Sequence, residues 1–260
     1  MDQLRQQKPI IALSPWLDSP AGRYVLAWEK ARLNELTSDI FGFNAIQIGL
    51  PQINALEDNR MPNKWLTDTH LPEKGEMPIV LVHDFAELPF ASQSLDLVVL
   101  PHVLEFAAEP HQVLREVERV LIPEGQVIVC GFNPASLWGA RQGAGRLTGS
   151  HFLPYGGEFI SVPRIKDWLK LLNMEVNRGH FGCYAPPCST EQWLTRFSFM
   201  ERAGGRWWPY LGAVYIMQAI KRIKGMRLIG PVWSRQAAKV ARGVAVTNKI
   251  HGNEKKHGQS

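Results

Sequence analysis

Two side chains able to bind a ligand or move a proton follow apolar runs of this 260-residue chain. Asp84 follows the run Pro78–His83, and its carboxylate can accept hydrogen bonds from an amine. His102 lies just beyond the run Leu95–Leu100, and an imidazole that titrates near neutrality can serve as a general base. Each residue also has a structural alternative, because an aspartate here could cap a turn and a histidine here could begin a helix.

The spacing of the other reactive side chains excludes several kinds of site. The eight histidines contain no i,i+4 pair around a glutamate, and Cys183 and Cys188 lack a second pair of ligands, so we expect no metal site. There is neither a G-x-S-x-G nucleophile motif nor a phosphate-binding G-K-[ST] motif. The segment Gly143–Gly149 superficially resembles a dinucleotide-binding fingerprint, but its spacing is wrong by one residue, and we predict a flexible loop there.

Helix-like and strand-like segments alternate along the chain. Apolar residues at helical spacing predict helices over residues 22–36, 109–121 and 162–172. Short apolar runs predict strands over 45–50, 78–83, 95–100, 126–130 and 174–176, and 215–220 is either a last strand or a helix. Because these runs are apolar throughout rather than alternating, they favour an α/β fold with a doubly wound, mostly parallel sheet and helices on both faces.

In such a sheet, ligands bind beyond the carboxyl ends of the strands. Those ends are predicted at Gly49–Gln52, Asp84–Phe85, Pro101–His102 and Gly131–Pro134. The sequence therefore places its candidate binding residues, Gly49, Asp84, Phe85, Pro101 and His102, around one site.

The block from Asp84 to Val129 carries a longer pattern of fixed residues. It contains D-x-x-x-L-P-F, then an aspartate at the start of a strand, then L-R-E-x-x-R-V-L-x-P-x-G. The residues that carry the pattern are Asp84, Leu88, Pro89, Phe90, Asp96, Arg115, Glu116, Arg119, Val120, Leu121, Pro123 and Gly125. In this pattern the block resembles the central half of the class I S-adenosylmethionine-dependent methyltransferases, in particular those of methyltransferase type 11.

The resemblance implies a Rossmann-like fold, S-adenosyl-L-methionine as cofactor and methyl transfer as the activity. It also implies that Asp84 accepts a hydrogen bond from the adenine amino group and that the Phe85 N–H reaches an adenine ring nitrogen. The Phe85 side chain replaces a residue that is usually small, so its ring either packs on the adenine or obstructs it. Arg115, Glu116 and Arg119 belong to the scaffold, on a helix away from the predicted crevice.

The first motif of that family is an acidic residue followed by x-Gly-x-Gly at the end of the first strand. This chain has Gln47-Ile48-Gly49-Leu50-Pro51 there. Only Gly49 is kept, and Pro51 brings no N–H donor to the place of the second glycine. This departure leaves open a second function class, a binding or regulatory protein that uses a methyltransferase scaffold without catalysis.

The remaining candidate residues follow from the same resemblance. An acid that binds the ribose hydroxyls is expected after the second strand, where Asp68 follows Lys64–Thr67, although Asp68 could equally be a surface residue. Pro101 and His102 lie where the family places residues near the sulfonium and the acceptor, and His102 is a candidate base. Only 35 positions separate Gly49 from Asp84, so we expect one of the intervening helices to be shortened or missing.

The second half of the chain is rich in aromatic residues. Six of the nine tryptophans lie after residue 135, among them Trp138, Trp193, Trp207 and Trp208. Aromatic clusters near a crevice suit a flat or apolar small-molecule acceptor, whereas core and surface packing is the alternative explanation. We predict a methyltransferase-like domain over residues 1–225, with a core at about 40–180 and an aromatic-rich acceptor side at about 131–214.

The positive charge of the chain is concentrated at its C-terminus. The net charge is +5, but residues 221–260 carry +9 and the first 220 residues carry −4. We predict a basic, flexible tail over 226–260, which either contacts nucleic acid or an anionic surface or serves solubility. A nucleic-acid contact would make the chain an RNA-directed methyltransferase. The sequence shows no signal peptide and no apolar run long enough to span a membrane, and with three scattered cysteines it favours a cytoplasmic protein.

Overall fold

The computed structural model describes residues 8–68, 81–149, 152–153 and 157–222. Within these ranges the α-helices are α1 Lys8–Leu17, α2 Pro20–Ser38, α3 Val103–Phe106, α4 Pro110–Val120, α5 Leu137–Thr148, α6 Val162–Leu171, α7 Glu191–Arg196 and α8 Phe199–Trp207. The strands are β1 Asn44–Ile48, β2 Asn63–Asp68, β3 Leu81–Val82, β4 Leu95–Pro101, β5 Leu121–Phe132, β6 Met174–Gly182 and β7 Val214–Lys221. A short 3₁₀ turn, Pro209–Leu211, precedes β7.

The strands form one mixed sheet in the order β3-β2-β1-β4-β5-β7-β6. The pairs among β1 to β5 are parallel, and β7 runs antiparallel to both β5 and β6. The strand order reverses between β1 and β4, which is the position of the binding crevice in doubly wound folds. The structure confirms the predicted α/β fold, and it makes 215–220 a strand rather than a helix.

Helix starts follow the local sequence. The Ser19 hydroxyl accepts a hydrogen bond from the Gly22 N–H at 3.0 Å, and Pro20 occupies the first turn of α2. A Cβ on Gly22 would lie 2.2 Å from the Trp16 carbonyl oxygen, so the glycine permits α1 and α2 to approach closely. Helix α4 begins with Pro110 and buries the apolar face that its sequence predicts.

The connection from β1 to β2 contains turns and no helix, as its length predicts. This connection, residues 49–62, is nevertheless well packed, with Leu50, Ile53, Ala55 and Leu56 all buried. It therefore forms part of the core rather than a surface loop. Of the strand predicted over 78–83, residues 78–80 lie outside the described part of the chain, Leu81–Val82 form β3, and His83 follows the strand.

The prediction of a loop over Gly143–Gly149 is wrong. Residues 137–148 form α5, which begins at Ser136 with its hydroxyl accepting from the Gly139 N–H and ends at Gly149 in a left-handed conformation with φ +74°. Inside the helix, the Gln142 side-chain oxygen accepts hydrogen bonds from the Phe152 and Leu153 N–H groups at 3.1 and 2.9 Å. The caps and this tertiary contact outweigh the low helix propensity of glycine.

The predicted basic tail and the domain boundary near residue 225 lie outside the described residues, so both remain predictions, as does the RNA contact that depends on the tail. In the described part of the chain, no helix is long and apolar enough to cross a membrane.

Candidate functional site

The candidate residues meet at one edge of the sheet, here called the carboxyl edge, where β1 to β6 all end. Ile48 is in register with Thr67, Asp68 with Val82, and Pro101 with Cys130. The structure therefore brings Gly49, Asp68, Asp84, Pro101 and His102 to neighbouring strand ends, as the sequence predicts. Their burial differs greatly, and this decides what each can do.

Gln47, which replaces the family's acidic residue, is fully buried and bonded to its own loop. Its amide nitrogen donates to the carbonyls of Gly49 and Leu50 at 3.1 and 2.9 Å, and its amide oxygen accepts from the Ala55 N–H at 2.6 Å. Both ends of the amide are therefore used to hold the turn after β1. A glutamine suits this role better than a carboxylate, because the turn presents both carbonyls and an N–H.

The space in front of Gly49 is filled by side chains. Gly49 has φ +74°, and a Cβ built on it would lie 3.2 Å from Val103 Cγ2 and 3.5 Å from Phe85 Cζ. Phe85 is only 2% exposed. Its ring therefore packs into the core beside the turn after β1 instead of standing open for a ligand.

The ends of β2 and β3 present polar groups towards the surface. Asp84 is exposed, and one of its carboxylate oxygens accepts from the Ala86 N–H at 3.0 Å, as in an aspartate-capped turn. Asp68 is half-buried at the last position of β2. Between them, His83 contacts the Asp84 carbonyl through Nδ1 at 2.7 Å and the Thr67 hydroxyl through Nε2 at 3.0 Å. Burial lowers the pKa of His83, which keeps the ring neutral, with Nδ1 as the donor.

His102 lies between two buried glutamates. Its Nε2 is 2.7 Å from Glu29 Oε1 and its Nδ1 is 2.7 Å from Glu105 Oε2, and all three side chains are at most 3% exposed. The other Glu105 oxygen accepts from the Phe132 N–H at 2.6 Å. This cluster, Glu29–His102–Glu105, ties α2, the end of β4, α3 and β5 together. Since both ring nitrogens are engaged, neither is free to accept a proton from a substrate in this arrangement.

The electrostatics of the cluster favour a protonated histidine. Burial opposes the charge, but the negative charge of Glu29 and the hydrogen bonds to both carboxylates outweigh it and raise the pKa of His102 to about 10. Burial also raises the pKa of Glu105. The second oxygen of Glu29 has no hydrogen-bond partner among the described residues. His102 also has φ +55°, a left-handed conformation that the two ion pairs help to hold.

Glu29 is a residue that the sequence analysis missed. It lies on the buried face of α2 at helical spacing from Val25 and Leu33. A charged residue on an otherwise apolar face is the signal that could have identified it, because carboxylates are almost never fully buried unless they are paired. The partner, 73 residues away, could not be read from the sequence.

An apolar groove of about 340 Å³ opens at the same carboxyl edge, beyond the ends of β5 and β6. Its walls include Leu137, Trp138, Tyr184, Trp208 and Leu211. Trp138 is fully buried and donates to the Ala185 carbonyl at 2.7 Å, so it belongs to the core. Trp208, in contrast, is partly exposed and borders the opening.

The cysteines have different surroundings. Cys130 and Cys183 are buried, Cys188 is half-buried, and none of the three forms a disulfide. Burial raises the thiol pKa of both Cys130 and Cys183. Within the described residues, no group of three or more His, Cys, Asp or Glu side chains is arranged to hold a metal ion.

Comparison with known proteins gives one family model, one curated relative and many solved structures that match this chain. A family model described as a methyltransferase domain matches residues 62–129. The uncharacterized protein YafS of Escherichia coli K12 is 33% identical over 176 residues, which cover 68% of this chain and 71% of YafS.

Solved structures share the fold at low sequence identity. A chain from the complex of the Haloferax volcanii Trm112 methyltransferase activator with its proposed methyltransferase superposes with a TM-score of 0.57 at 15% identity, covering 84% of this chain and 99% of that chain. A SAM-dependent methyltransferase from Thermotoga maritima gives a TM-score of 0.57 at 15% identity, covering 78% and 91%.

Proposed function

Because this chain belongs to the class I S-adenosylmethionine-dependent methyltransferase family, we propose that it binds S-adenosyl-L-methionine at the carboxyl edge and transfers the methyl group to a small or mid-sized acceptor. The observation that carries the proposal is the pair of carboxylates, Asp68 and Asp84, at the ends of adjacent strands β2 and β3. Asp68 ends the strand next to β1, on one side of the point where the strand order reverses, and Asp84 follows the edge strand β3 on the same side.

The polar residues at β2 and β3 fit the adenosine half of the cofactor. Asp84 uses one oxygen for its own turn, which leaves the second oxygen to accept from the adenine amino group. The Asp68 carboxylate suits the two ribose hydroxyls. Because neutral His83 bonds to the Asp84 carbonyl and to Thr67, it fixes the turn that presents Asp84.

This chain lacks most of the groups with which the family binds the methionine half of the cofactor. Pro51 supplies no N–H donor, Gln47 is used by its own turn, and no helix follows β1 to direct an N-terminus at a carboxylate. The side chains of Phe85 and Val103 pack against Gly49. We therefore expect affinity to come mainly from the adenosine half.

When bound, the cofactor supplies a sulfonium methyl group for attack by a nucleophile of the acceptor. The chain's contribution is to position the acceptor and to exclude water. We assign His102 a positioning role, because its ion pairs with Glu29 and Glu105 hold the end of β4 and it has no free ring nitrogen. We assign the apolar groove near β5 and β6 to the acceptor, which we expect to be apolar in part.

The second candidate function is ligand or protein binding on this scaffold without catalysis. The observation that favours it is the closed turn after β1, where Gln47, Phe85 and Val103 occupy the place of the open glycine-rich turn. In this case neither S-adenosylmethionine nor S-adenosylhomocysteine would bind. The three free cysteines suit a reducing compartment under either function, so we place the protein in the cytoplasm.

Calorimetric titration with S-adenosylmethionine and S-adenosylhomocysteine separates the two candidates. The informative variant is Asp84→Asn, since its side-chain oxygen can still accept from the Ala86 N–H while its NH₂ would face the adenine amino group, donor against donor. We expect binding by the wild type, loss of at least about tenfold in affinity for Asp84→Asn, and no change for the exposed neighbouring control Glu87→Gln.

Absence of heat from the folded wild type at millimolar ligand would exclude the methyltransferase proposal and favour the binding protein. If Asp84→Asn binds the cofactor as tightly as the wild type does, a residue other than Asp84 contacts the adenine.

A further inference from the structure

The surface beyond the end of β6 carries an unusual number of exposed apolar side chains. Ten large apolar side chains are exposed in the described residues, and six of them lie between residues 193 and 211. We call these six the aromatic face: Trp193, Phe199, Trp207, Trp208, Tyr210 and Leu211. Trp207 is 74% exposed and Tyr210 is 71% exposed, whereas such side chains are normally buried for most of their area.

The members of this face lie on adjoining elements. Trp193 of α7 stacks on Phe197 with ring centroids 5.9 Å apart, and Phe197 is 6.4 Å from Phe199 at the start of α8. Trp208 and Leu211 border the apolar groove together with Met200 of α8. Two of the six members of the face therefore border the opening of that groove.

Exposed arginines lie among these apolar side chains. On α8, the spacing i, i+3, i+7 and i+8 places Phe199, Arg202, Arg206 and Trp207 on one side of the helix. The opposite side of α8 packs inwards, because Gly204 is buried against Tyr184. On α7, the Arg196 guanidinium lies 5.6 Å from the Trp193 ring centroid.

The nearby acids do not neutralise these arginines. The Glu201 carboxylate accepts hydrogen bonds from the Tyr24 hydroxyl and the Tyr184 N–H, on the inward side of α8. Glu191 pairs with Arg23 of α2 at 3.5 Å. Arg202 and Arg206 have no ion-pair partner among the residues that the structure describes. The face is therefore both apolar and positively charged.

We propose that the aromatic face docks this protein on the surface of an anionic lipid bilayer. Tryptophan and tyrosine rings at the headgroup level, with arginines among them, match a lipid interface, where apolar rings enter the acyl boundary and guanidinium groups meet phosphates. A protein partner would have to bring carboxylates to the positions of these arginines, whereas an anionic bilayer offers phosphates over the whole face. Docking in this orientation turns the apolar groove towards the membrane, so an acceptor dissolved in the bilayer could enter it directly.

Vesicle sedimentation of the full chain tests the proposal, and it does not depend on methyl transfer. The probes are vesicles of phosphatidylglycerol mixed with phosphatidylcholine, and vesicles of phosphatidylcholine alone. We expect stronger binding to the anionic vesicles, weakened by added salt. Replacing Trp207 and Tyr210 by alanine should weaken this binding at least about tenfold.

The charge contribution has its own variants. Arg202→Gln together with Arg206→Gln should lower affinity for anionic vesicles by about fivefold for each arginine and leave binding to phosphatidylcholine unchanged. Arg202→Lys together with Arg206→Lys should keep most of the affinity for anionic vesicles.

Two control variants match these changes on other surfaces. Phe41 and Phe43 are 75% and 72% exposed but precede β1, at the sheet edge opposite the carboxyl edge. Phe41→Ala with Phe43→Ala should bind vesicles as the wild type does. Arg60→Gln with Arg115→Gln removes the same charge from an exposed loop residue and from α4, and it should have a much smaller effect.

Three results would overturn the proposal. In the first, the folded chain does not sediment with anionic vesicles. In the second, the aromatic and arginine variants bind vesicles as well as the wild type does, which would assign binding to the basic residues after 221. In the third, the chain is a dimer that Trp207→Ala with Tyr210→Ala dissociates. Binding to a single-stranded RNA that these same variants abolish, without vesicle binding, would assign the face to nucleic acid.

Discussion

Substituting His102 by glutamine should flatten the dependence of stability on pH between pH 6.5 and 8.5. In the folded chain the imidazole is buried between Glu29 and Glu105, and its pKa is raised to about 10 from an ordinary value of 6.5. A raised folded-state pKa means that the folded state binds the proton more tightly than the unfolded state does. The stabilisation is therefore complete below pH 6.5 and is lost as the pH rises through about 10.

The size of the effect follows from the linkage relation. Each unit of pKa difference corresponds to about 1.36 kcal/mol, and in the interval from pH 6.5 to 8.5 the unfolded histidine is largely deprotonated while the folded one stays largely protonated. Integration over this interval gives a loss of about 2 kcal/mol in the free energy of unfolding. The raised pKa of Glu105 acts in the same direction from its ordinary value of 4.5 upwards. Because His102 itself lowers that pKa, the substitution raises the pKa of Glu105 further, which offsets part of the flattening.

The assay is urea unfolding at several pH values in this interval, for the wild type and for His102→Gln. The interval ends below the ordinary pKa values of cysteine and tyrosine, so the buried Cys130, Cys183 and Tyr215 contribute little to the difference. Equal slopes in the two proteins would refute the argument that His102 is held protonated. If His102→Gln does not fold, Glu29→Gln removes the strongest attraction for the imidazolium, and the slope should shrink in that variant.

Three further expectations test the packing. Gly143→Ala should raise the free energy of unfolding by about 0.5–1 kcal/mol in urea, because a helix interior favours alanine and nothing lies near the new methyl group; a decrease would argue against α5. Gly22→Ala should lower it by roughly 1–3 kcal/mol, since the methyl group would meet the backbone of α1; an unchanged thermal midpoint would contradict that contact. Of the three thiols only Cys188 should react quickly with a disulfide reagent in the native protein, and all three should react after unfolding; rapid labelling of a second native thiol would disprove the burial of the other two.

The parts of the fold that the sequence predicted correctly are those encoded locally. The strands are apolar runs bounded by turn residues, and α4 has both a proline in its first turn and an apolar stripe. The short stretch of sequence from Gly49 to Asp84 predicted that a helix is shortened or missing. Two parallel crossover connections, each with a helix of ordinary length, need more residues than lie between them. The carboxyl ends of these strands then placed the candidate residues at one edge.

The features that the sequence did not reveal depend on contacts between distant residues. Helix α5 is glycine-rich, and Gln142 supports it by bonding to residues beyond its end. The pairing of His102 with Glu29 joins a helix to a strand end. The direction of the aromatic side chains could not be derived from composition, since Trp138 is buried and Trp207 is exposed. Their spacing along the chain is compatible with either outcome.

The position of β7 has a consequence for how the chain folds during synthesis. β7 is the last of the described strands to be made, yet it lies between β5 and β6 and supplies the hydrogen bonds of both. Until residue 221 has left the ribosome, β5 has one unpaired side and β6 has no neighbour in the sheet. A nascent chain that stops before Val214 therefore presents open strand edges, which can pair with strands of other chains.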